Sequence, residues 1–136
     1  MAIEWESPAS GLRPKPPPAI NVEALAAIAQ VRLMAGDVPR GLLRAFYEGV
    51  IGMRLVPQDG ADVLFRHQRR EVLLERERTE LGRAAFLVRQ FEDSLMRLRD
   101  RQISYELLHT DSGLTRTAIT RDPAGNWIHL VETRDF

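Results

Sequence analysis

The sequence predicts an α+β fold, in which two βαβββ modules form a curved mixed sheet around a cavity with the helices outside. The order strand–helix–strand–strand–strand can be read twice along the chain. Matching positions keep a nearly constant separation, since Gln30 and Arg83 are 53 residues apart and Glu75 and His129 are 54 residues apart. The turn formed by residues 122–126 precedes a segment that alternates like a strand. Such a repeat indicates an internal duplication.

Composition and charge restrict the classes of protein to which the chain can belong. Its 136 residues suit one domain, and 44% hydrophobic with 28% charged residues is typical of a globular protein. Lys+Arg and Asp+Glu both number 19, so the net charge favours neither a nucleic-acid nor a membrane partner. There is no cysteine, which excludes disulfides, thiolate metal sites and cysteine nucleophiles and is compatible with the cytoplasmic location that we expect.

The N-terminal part differs in composition from the rest. Residues 1–20 are interpreted as a proline-rich tail, because four of residues 14–18 are proline and disfavour a helix. Residues 21–136 are predicted to form a single domain. Trp5 is unusual in such a tail, and either belongs to a flexible arm or docks on the domain or on a partner subunit.

The first predicted module covers about residues 28–75. Its helix begins near Pro39, with Asp37 as the N-cap, and ends at Gly52. Tyr47 is expected to pack in this helix rather than to react. The apolar residues that define the buried face of the helix are Leu42, Leu43, Phe46 and Val50. The predicted strands of this module are Ile28–Met34, Met53–Val56, Ala61–Arg66 and Glu71–Glu75.

The second predicted module covers about residues 82–132. Its helix carries Phe91, Leu95 and Leu98 at helical spacing. The predicted strands are Arg83–Val88, Ser104–His109, Leu114–Thr120 and Trp127–Glu132. Because successive side chains in a strand point to opposite faces, Ile128 and Leu130 are expected on the apolar face that the helices cover. The opposite faces, which carry Gln30, Arg83 and His129, are expected to line a concave surface suited to a ligand.

Two segments together resemble the vicinal oxygen chelate superfamily, also called the glyoxalase/bleomycin-resistance/dioxygenase superfamily. They are FYEGVIGM at residues 46–53 and DPAGN at residues 122–126, and the resemblance covers about residues 28–132. The superfamily usually opens its first module with His-Val-x-Leu, where this chain has Gln-Val-Arg-Leu from Gln30. It usually opens the second with His-x-x-Phe, where this chain has Arg-Ala-Ala-Phe from Arg83, and it usually has Glu at the position of His129.

The resemblance implies metal ligands at these positions, and the residues present depart from that pattern. Gln30 and His129 could both bind a divalent cation, and Glu75 matches a position that supplies a carboxylate in dimeric glyoxalases. Arg83 has no lone pair to offer, and its permanent charge repels a metal ion. No cofactor is therefore expected. A divalent metal held by Gln30, Glu75 and His129 is the alternative.

The resemblance supports three functional hypotheses. The first is a small-molecule-binding protein with a degenerate metal site, similar to the drug-sequestering resistance proteins that bind their ligand between the subunits of a homodimer. Arg83 would favour an anionic ligand. The second is a metal-dependent lyase, isomerase or ring-cleaving dioxygenase that uses Gln30, Glu75 and His129, so whether the chain is an enzyme stays open. The third is an interaction module whose cavity is filled by side chains.

The candidate ligand-binding residues are Gln30, Glu75, Arg83, Trp127 and His129. Each has a second interpretation. Arg83 either binds a carboxylate or phosphate of the ligand or forms an ion pair with Glu75 that fills the position of the metal. His129 is either the candidate catalytic base or a hydrogen-bonded histidine of the pocket. Trp127 either stacks on a flat ligand or packs at the sheet.

Overall fold

The structure is a computed structural model that describes residues 29–109 and 115–133. The predictions for the proline-rich tail and for Trp5 lie outside these residues. Within them the chain folds into the two predicted βαβββ modules. Neither helix of this part of the chain is long and apolar enough to cross a membrane.

The first module is a four-stranded sheet with one helix. Its elements are β1 (Ala29–Met34), α1 (Arg40–Phe46), a π-helical turn (Tyr47–Ile51), β2 (Arg54–Val56), β3 (Val63–His67) and β4 (Arg70–Glu75). The strands lie in the order β1-β4-β3-β2. The pair β1 and β4 is parallel, whereas the pairs of β3 with β4 and with β2 are antiparallel.

The second module repeats this topology. Its elements are β5 (Arg83–Val88), α2 (Phe91–Asp100), β6 (Glu106–His109), β7 (Arg116–Arg121) and β8 (Trp127–Glu132). The strands lie in the order β5-β8-β7-β6, again with the first and last strands of the module parallel. The identical strand order of two sheets built from different sequences confirms the duplication that the repeat indicated.

The boundaries of the first helical segment differ from the prediction at one end. Asp37 does not cap α1, because the N-cap is Pro39 and no side chain bonds to the free N–H groups there. Proline fixes φ near −60°, which prepares the chain for a helix without a side-chain cap. The predicted end is confirmed, since Gly52 adopts a left-handed conformation with φ of 94°.

The buried stripe of the first helical segment also differs from the prediction. Leu42 was expected on it, but its side chain is 55% exposed. Tyr47 instead belongs to the buried stripe. Its side chain is fully buried, which confirms the prediction that Tyr47 packs in the protein. The stripe begins at Leu43 and continues three, four and seven residues further on, the spacing of one helix face.

One hydrophobic core joins the two modules. Both helices and the inward faces of both sheets contribute to the same cluster, which includes Phe46, Phe65, Leu98, Ile128 and Leu130. Ile128 and Leu130 are buried as the alternation in β8 predicted. The helices therefore cover one side of the sheets, and the other side faces away from the core.

The DPAGN turn connects the modules through the side chain of Asn126, which is fully buried. The side-chain amide oxygen accepts hydrogen bonds from the backbone N–H groups of Met34 (3.2 Å) and Gly82 (2.8 Å). Its amide nitrogen donates to the Met34 carbonyl (2.7 Å) and to the Asp122 carboxylate (2.9 Å). Asp122 also accepts a hydrogen bond from the Tyr47 hydroxyl. The turn thus ties the end of β1 to the start of β5.

Candidate functional site

The side of the second sheet that faces away from the core carries most of the predicted site residues, and we call it the open face. Its residues from β5, β8 and β7 are Arg83, Ala85, Leu87, Trp127, His129, Val131, Thr117, Ile119 and Arg121. The strand register arranges them in three rows, which run Arg83–Trp127–Arg121, Ala85–His129–Ile119 and Leu87–Val131–Thr117. Arg83, Trp127 and His129 therefore share one face, as the alternation predicted.

The first row places an aromatic ring between two cations. Trp127 is 36% exposed, and the guanidinium carbon of Arg121 lies 3.7 Å from the centroid of its ring. Arg83 lies on the other side of Trp127 in the register. Among the described residues neither Arg83 nor Arg121 forms an ion pair with a carboxylate. This end of the open face therefore presents positive charge that no acid of the described sheet balances.

His129 lies in the middle row and is half-buried. Its pKa is lowered below the ordinary value, first by burial and second by the positive charge of Arg83. Both effects favour the neutral imidazole, because a second positive charge is unfavourable in this position. A neutral imidazole has one donor and one acceptor nitrogen, so His129 can bind a polar group of a ligand or accept a proton from it.

Removing the charge of Arg83 is expected to raise the pKa of His129. In the Arg83→Gln variant the repulsion is lost while the burial remains, so the pKa should move upward towards its ordinary value without reaching it. NMR titration of the imidazole protons measures this shift. Arg54→Gln removes an exposed arginine from β2 of the other sheet and should leave the titration unchanged. An unchanged titration in Arg83→Gln would show that the two side chains do not interact.

The first sheet holds Gln30 in a hydrogen-bonded row that the sequence did not predict. The Gln30 amide donates to the carboxylate of Glu71 (2.9 Å), which also forms an ion pair with Arg66. Glu71 is only 7% exposed, and its pKa is lowered first by the hydrogen bond from Arg66 and then by that from Gln30. The sequence alone does not indicate this row, because it depends on which strand pairs with β1 and on how the two strands are aligned.

Glu75 occupies a different row of the first sheet. In the register Gln30 pairs with Glu71, whereas Glu75 pairs with Met34. Gln30 and Glu75 are thus separated by four positions along parallel strands, which corresponds to about 13 Å. Glu75 instead forms ion pairs with Arg32 (3.9 Å) and Arg78 (2.8 Å). The structure does not bring Gln30 and Glu75 together within one chain.

The arrangement of donors in one chain does not fit a divalent metal. No group of three His, Asp or Glu side chains converges within the described residues. When the two sheets are aligned so that Gln30 corresponds to Arg83, the residue that corresponds to His129 is Leu73. Leu73 pairs with the residue two positions after Gln30, and His129 pairs with the residue two positions after Arg83. An aliphatic side chain cannot be a ligand there, and the charge of Arg83 opposes a cation on the second sheet.

An open cavity of about 700 Å³ lies at the other end of the first sheet and is lined by residues 59–62 and 75–80. It includes Glu75 but none of the other four candidate ligand-binding residues. Acidic side chains outnumber basic ones along its wall. The cavity is therefore separate from the open face and has the opposite charge.

No protein-family profile matches the chain, and no curated protein sequence matches it. Solved structures do match. A protein assigned to the glyoxalase family from Bacillus anthracis shares 22% identity over 79% of this chain and 95% of its own, with a TM-score of 0.68. A lactoylglutathione lyase from Agrobacterium tumefaciens shares 23% identity over 79% and 93%, with a TM-score of 0.65.

A third structure names the wider group. It is a member of the glyoxalase/bleomycin resistance protein/dioxygenase superfamily from Sphaerobacter thermophilus, with 20% identity over 78% of this chain and 96% of its own and a TM-score of 0.61. The chain has the glyoxalase/bleomycin-resistance/dioxygenase fold. This confirms the fold that the two sequence segments indicated. Because one fold supports many activities, the function of this glyoxalase-like domain has to be argued from its own residues.

Proposed function

We propose that this glyoxalase-like domain binds a small anionic molecule on the open face of its second sheet, without a metal ion. The observation that carries the proposal is the charge of Arg83, which no carboxylate among residues 29–109 and 115–133 balances, at a position where the resemblance implies a metal-binding histidine. A guanidinium binds a carboxylate or phosphate through two parallel hydrogen bonds. Trp127 beside it offers an aromatic surface, and Arg121 supplies a second cation in the same row.

The surroundings of Arg83 favour this role over a structural one. A structural ion pair with Glu75 would need that carboxylate to be free, but Glu75 is already paired with Arg32 and Arg78. Arg83 is exposed, so the loss of its side chain should leave the fold intact. For metal-dependent lyase, isomerase or dioxygenase activity, Gln30, Glu75 and His129 would have to come from different copies of the chain. The homodimer stays a prediction, and sedimentation velocity at micromolar concentration checks it.

Arg83→Ala is expected to weaken the binding of benzoate, a small aromatic anion, by at least about tenfold, because a hydrogen bond to a charged group contributes about 1.5–3 kcal/mol. Isothermal titration calorimetry at low salt measures the affinity. Binding to the unmodified protein should weaken as salt is added, since the charges on this face are exposed. Benzamide has nearly the same shape without the charge and should bind much more weakly.

The matched control is Arg54→Ala, which also removes one exposed arginine from a sheet but lies on β2 of the first module. It should leave the affinity for benzoate unchanged, and both variants should keep the melting temperature of the unmodified protein. Equal affinity for benzoate in Arg83→Ala and in the unmodified protein would refute the proposed role of Arg83.

A further inference from the structure

We infer that the ligand is an elongated amphiphilic carboxylate that lies along β8, with its anionic group at Arg83 and Arg121 and its apolar body over Leu87 and Val131. This inference rests on the proposed function and specifies the chemical class of the ligand. It follows from the way in which charge and apolar surface are separated along the open face.

Positive charge is confined to the first row of the open face, and exposed apolar surface is concentrated in the third. Leu87 in the third row is 66% exposed. Leu108 of β6 pairs with Thr117 of β7, which places it at the end of the same row, and it is 45% exposed. Leu108 lies three strands from Leu87, about 14 Å across the sheet, so a chain along β8 covers Leu87 and the neighbouring Val131 but does not reach Leu108. Burial of the exposed Leu87 side chain favours the binding of an apolar chain there.

The distance between the two ends determines the length of the ligand. The first and third rows are four residues apart along the strands, or about 13 Å. A compact anion held at Arg83 therefore cannot reach Leu87. The ligand needs an unbranched apolar extension from its charged group to cover both ends.

The middle row leaves a path between the two ends. Ala85 has only a methyl group, and the His129 side chain beside it is half-buried. The charged groups that face His129 are Arg83 and Arg121, one row away, and Glu106, which lies beyond Ile119 on the edge strand β6. A chain that crosses the middle row would thus contact Ala85 and the imidazole without covering a carboxylate.

The equivalent face of the first sheet lacks this separation. Its first row contains the Glu71–Arg66 ion pair, and its third row contains Glu75, which is paired with Arg32 and Arg78. A carboxylate therefore lies at both ends of that face, and the first row also holds the exposed Arg54 beside Arg66. Only the second sheet has both cations in its first row and an exposed leucine in its third row. An amphiphilic carboxylate has the same arrangement, with its charge at one end and its apolar part at the other.

The test compares the affinities of benzoate, 4-butylbenzoate and 4-octylbenzoate by isothermal titration calorimetry, below the concentrations at which the probes aggregate. Full burial of a methylene group is worth about a fourfold gain in affinity, and an open face covers about half of each. We therefore expect 4-butylbenzoate to bind about tenfold more tightly than benzoate, with a further gain for the octyl compound.

Leu87→Ser should remove most of the gain from the alkyl chain while leaving benzoate binding unchanged. Leu42→Ser is the matched control, because Leu42 is 55% exposed on α1, away from the open face, and its replacement should have no effect. Both leucines are exposed, so neither replacement is expected to disturb folding. Arg83→Ala should weaken all three compounds by a similar factor.

The outcomes separate the two proposals. If benzoate binding depends on Arg83 but the alkyl chains add nothing, the amphiphilic ligand is refuted and the anion-binding function stands. If the alkyl chains raise affinity equally in Leu87→Ser, the amphiphilic ligand is refuted and the anion-binding function stands. If benzoate binds to Arg83→Ala as tightly as to the unmodified protein, both proposals are refuted. If Leu87→Ser changes only the sedimentation coefficient, a second copy of the chain covers the leucines, and the amphiphilic ligand is refuted.

Discussion

Asn126→Ala is expected to lower the free energy of unfolding by about 3–5 kcal/mol, the largest effect of any single polar substitution that we predict. The Asn126 amide makes four hydrogen bonds, two of them to the backbone of Met34, one to Gly82 and one to Asp122. Its two donors and its two acceptor lone pairs are thus all used. Each buried group left without a partner costs about 1–3 kcal/mol, and water that enters the gap recovers part of the loss.

Urea unfolding followed by circular dichroism measures this change. Gln58→Ala is the matched control, because the Gln58 amide makes one exposed hydrogen bond, to the carbonyl of Asp62 (3.2 Å), and its loss should cost less than about 0.5 kcal/mol. A cost below about 1 kcal/mol for Asn126→Ala would mean that the DPAGN turn does not hold the modules together as the structure indicates.

The architecture could be predicted because it depends on local patterns. The alternation in β8, the helical spacing of Phe91, Leu95 and Leu98, and the glycine stop at Gly52 are each determined by residues near one another in sequence. The two local errors concern one helical segment. There the π-helical turn after Phe46 brings Tyr47 onto the buried stripe, and a short segment offers few residues from which to choose between neighbouring stripes.

The sequence could predict which site residues share a face within one strand, or within paired strands whose alignment is known. It could not predict contacts between strands whose alignment is unknown. Arg83, Trp127 and His129 share a face because strand alternation requires it. The partnership of Gln30 with Glu71 depends on how β1 aligns with β4 across 41 residues of sequence, which no local pattern determines. A nearly constant sequence offset between the modules matched Glu75 with His129. The pairing of the strands instead matches His129 with Leu73, because the connections between the strands of the second module are longer.

Tyr47→Phe is expected to lower the free energy of unfolding by about 1–3 kcal/mol at neutral pH. The Tyr47 hydroxyl is buried and donates a hydrogen bond of 2.5 Å to the carboxylate of Asp122. Without this donor the buried carboxylate loses one of its partners, and an unsatisfied charged acceptor costs more than a neutral one. The ring itself stays in place, stacked on Phe65 with 5.1 Å between the centroids, so the variant should keep its fold.

The same hydrogen bond makes the effect of Tyr47→Phe depend on pH. Burial first, and then the charge and hydrogen bond of Asp122, raise the pKa of Tyr47 well above its ordinary value. Up to about pH 10 both the folded and the unfolded protein keep the proton, and the stabilisation is complete. Above that pH the unfolded chain releases the proton while the folded protein retains it. The unmodified protein therefore loses about 1.4 kcal/mol of stability per pH unit from this group.

Because Tyr47→Phe lacks the titrating hydroxyl, the difference in stability between it and the unmodified protein should narrow as the pH rises above 10. Urea unfolding at pH 8 and at pH 11 measures both differences. Tyr105→Phe provides the baseline for the loss of a tyrosine hydroxyl, since that hydroxyl accepts a hydrogen bond (2.8 Å) from the exposed Arg99 and is expected to contribute little. A difference for Tyr47→Phe that stays constant between the two pH values would contradict a buried, protonated hydroxyl that joins the first module to the DPAGN turn.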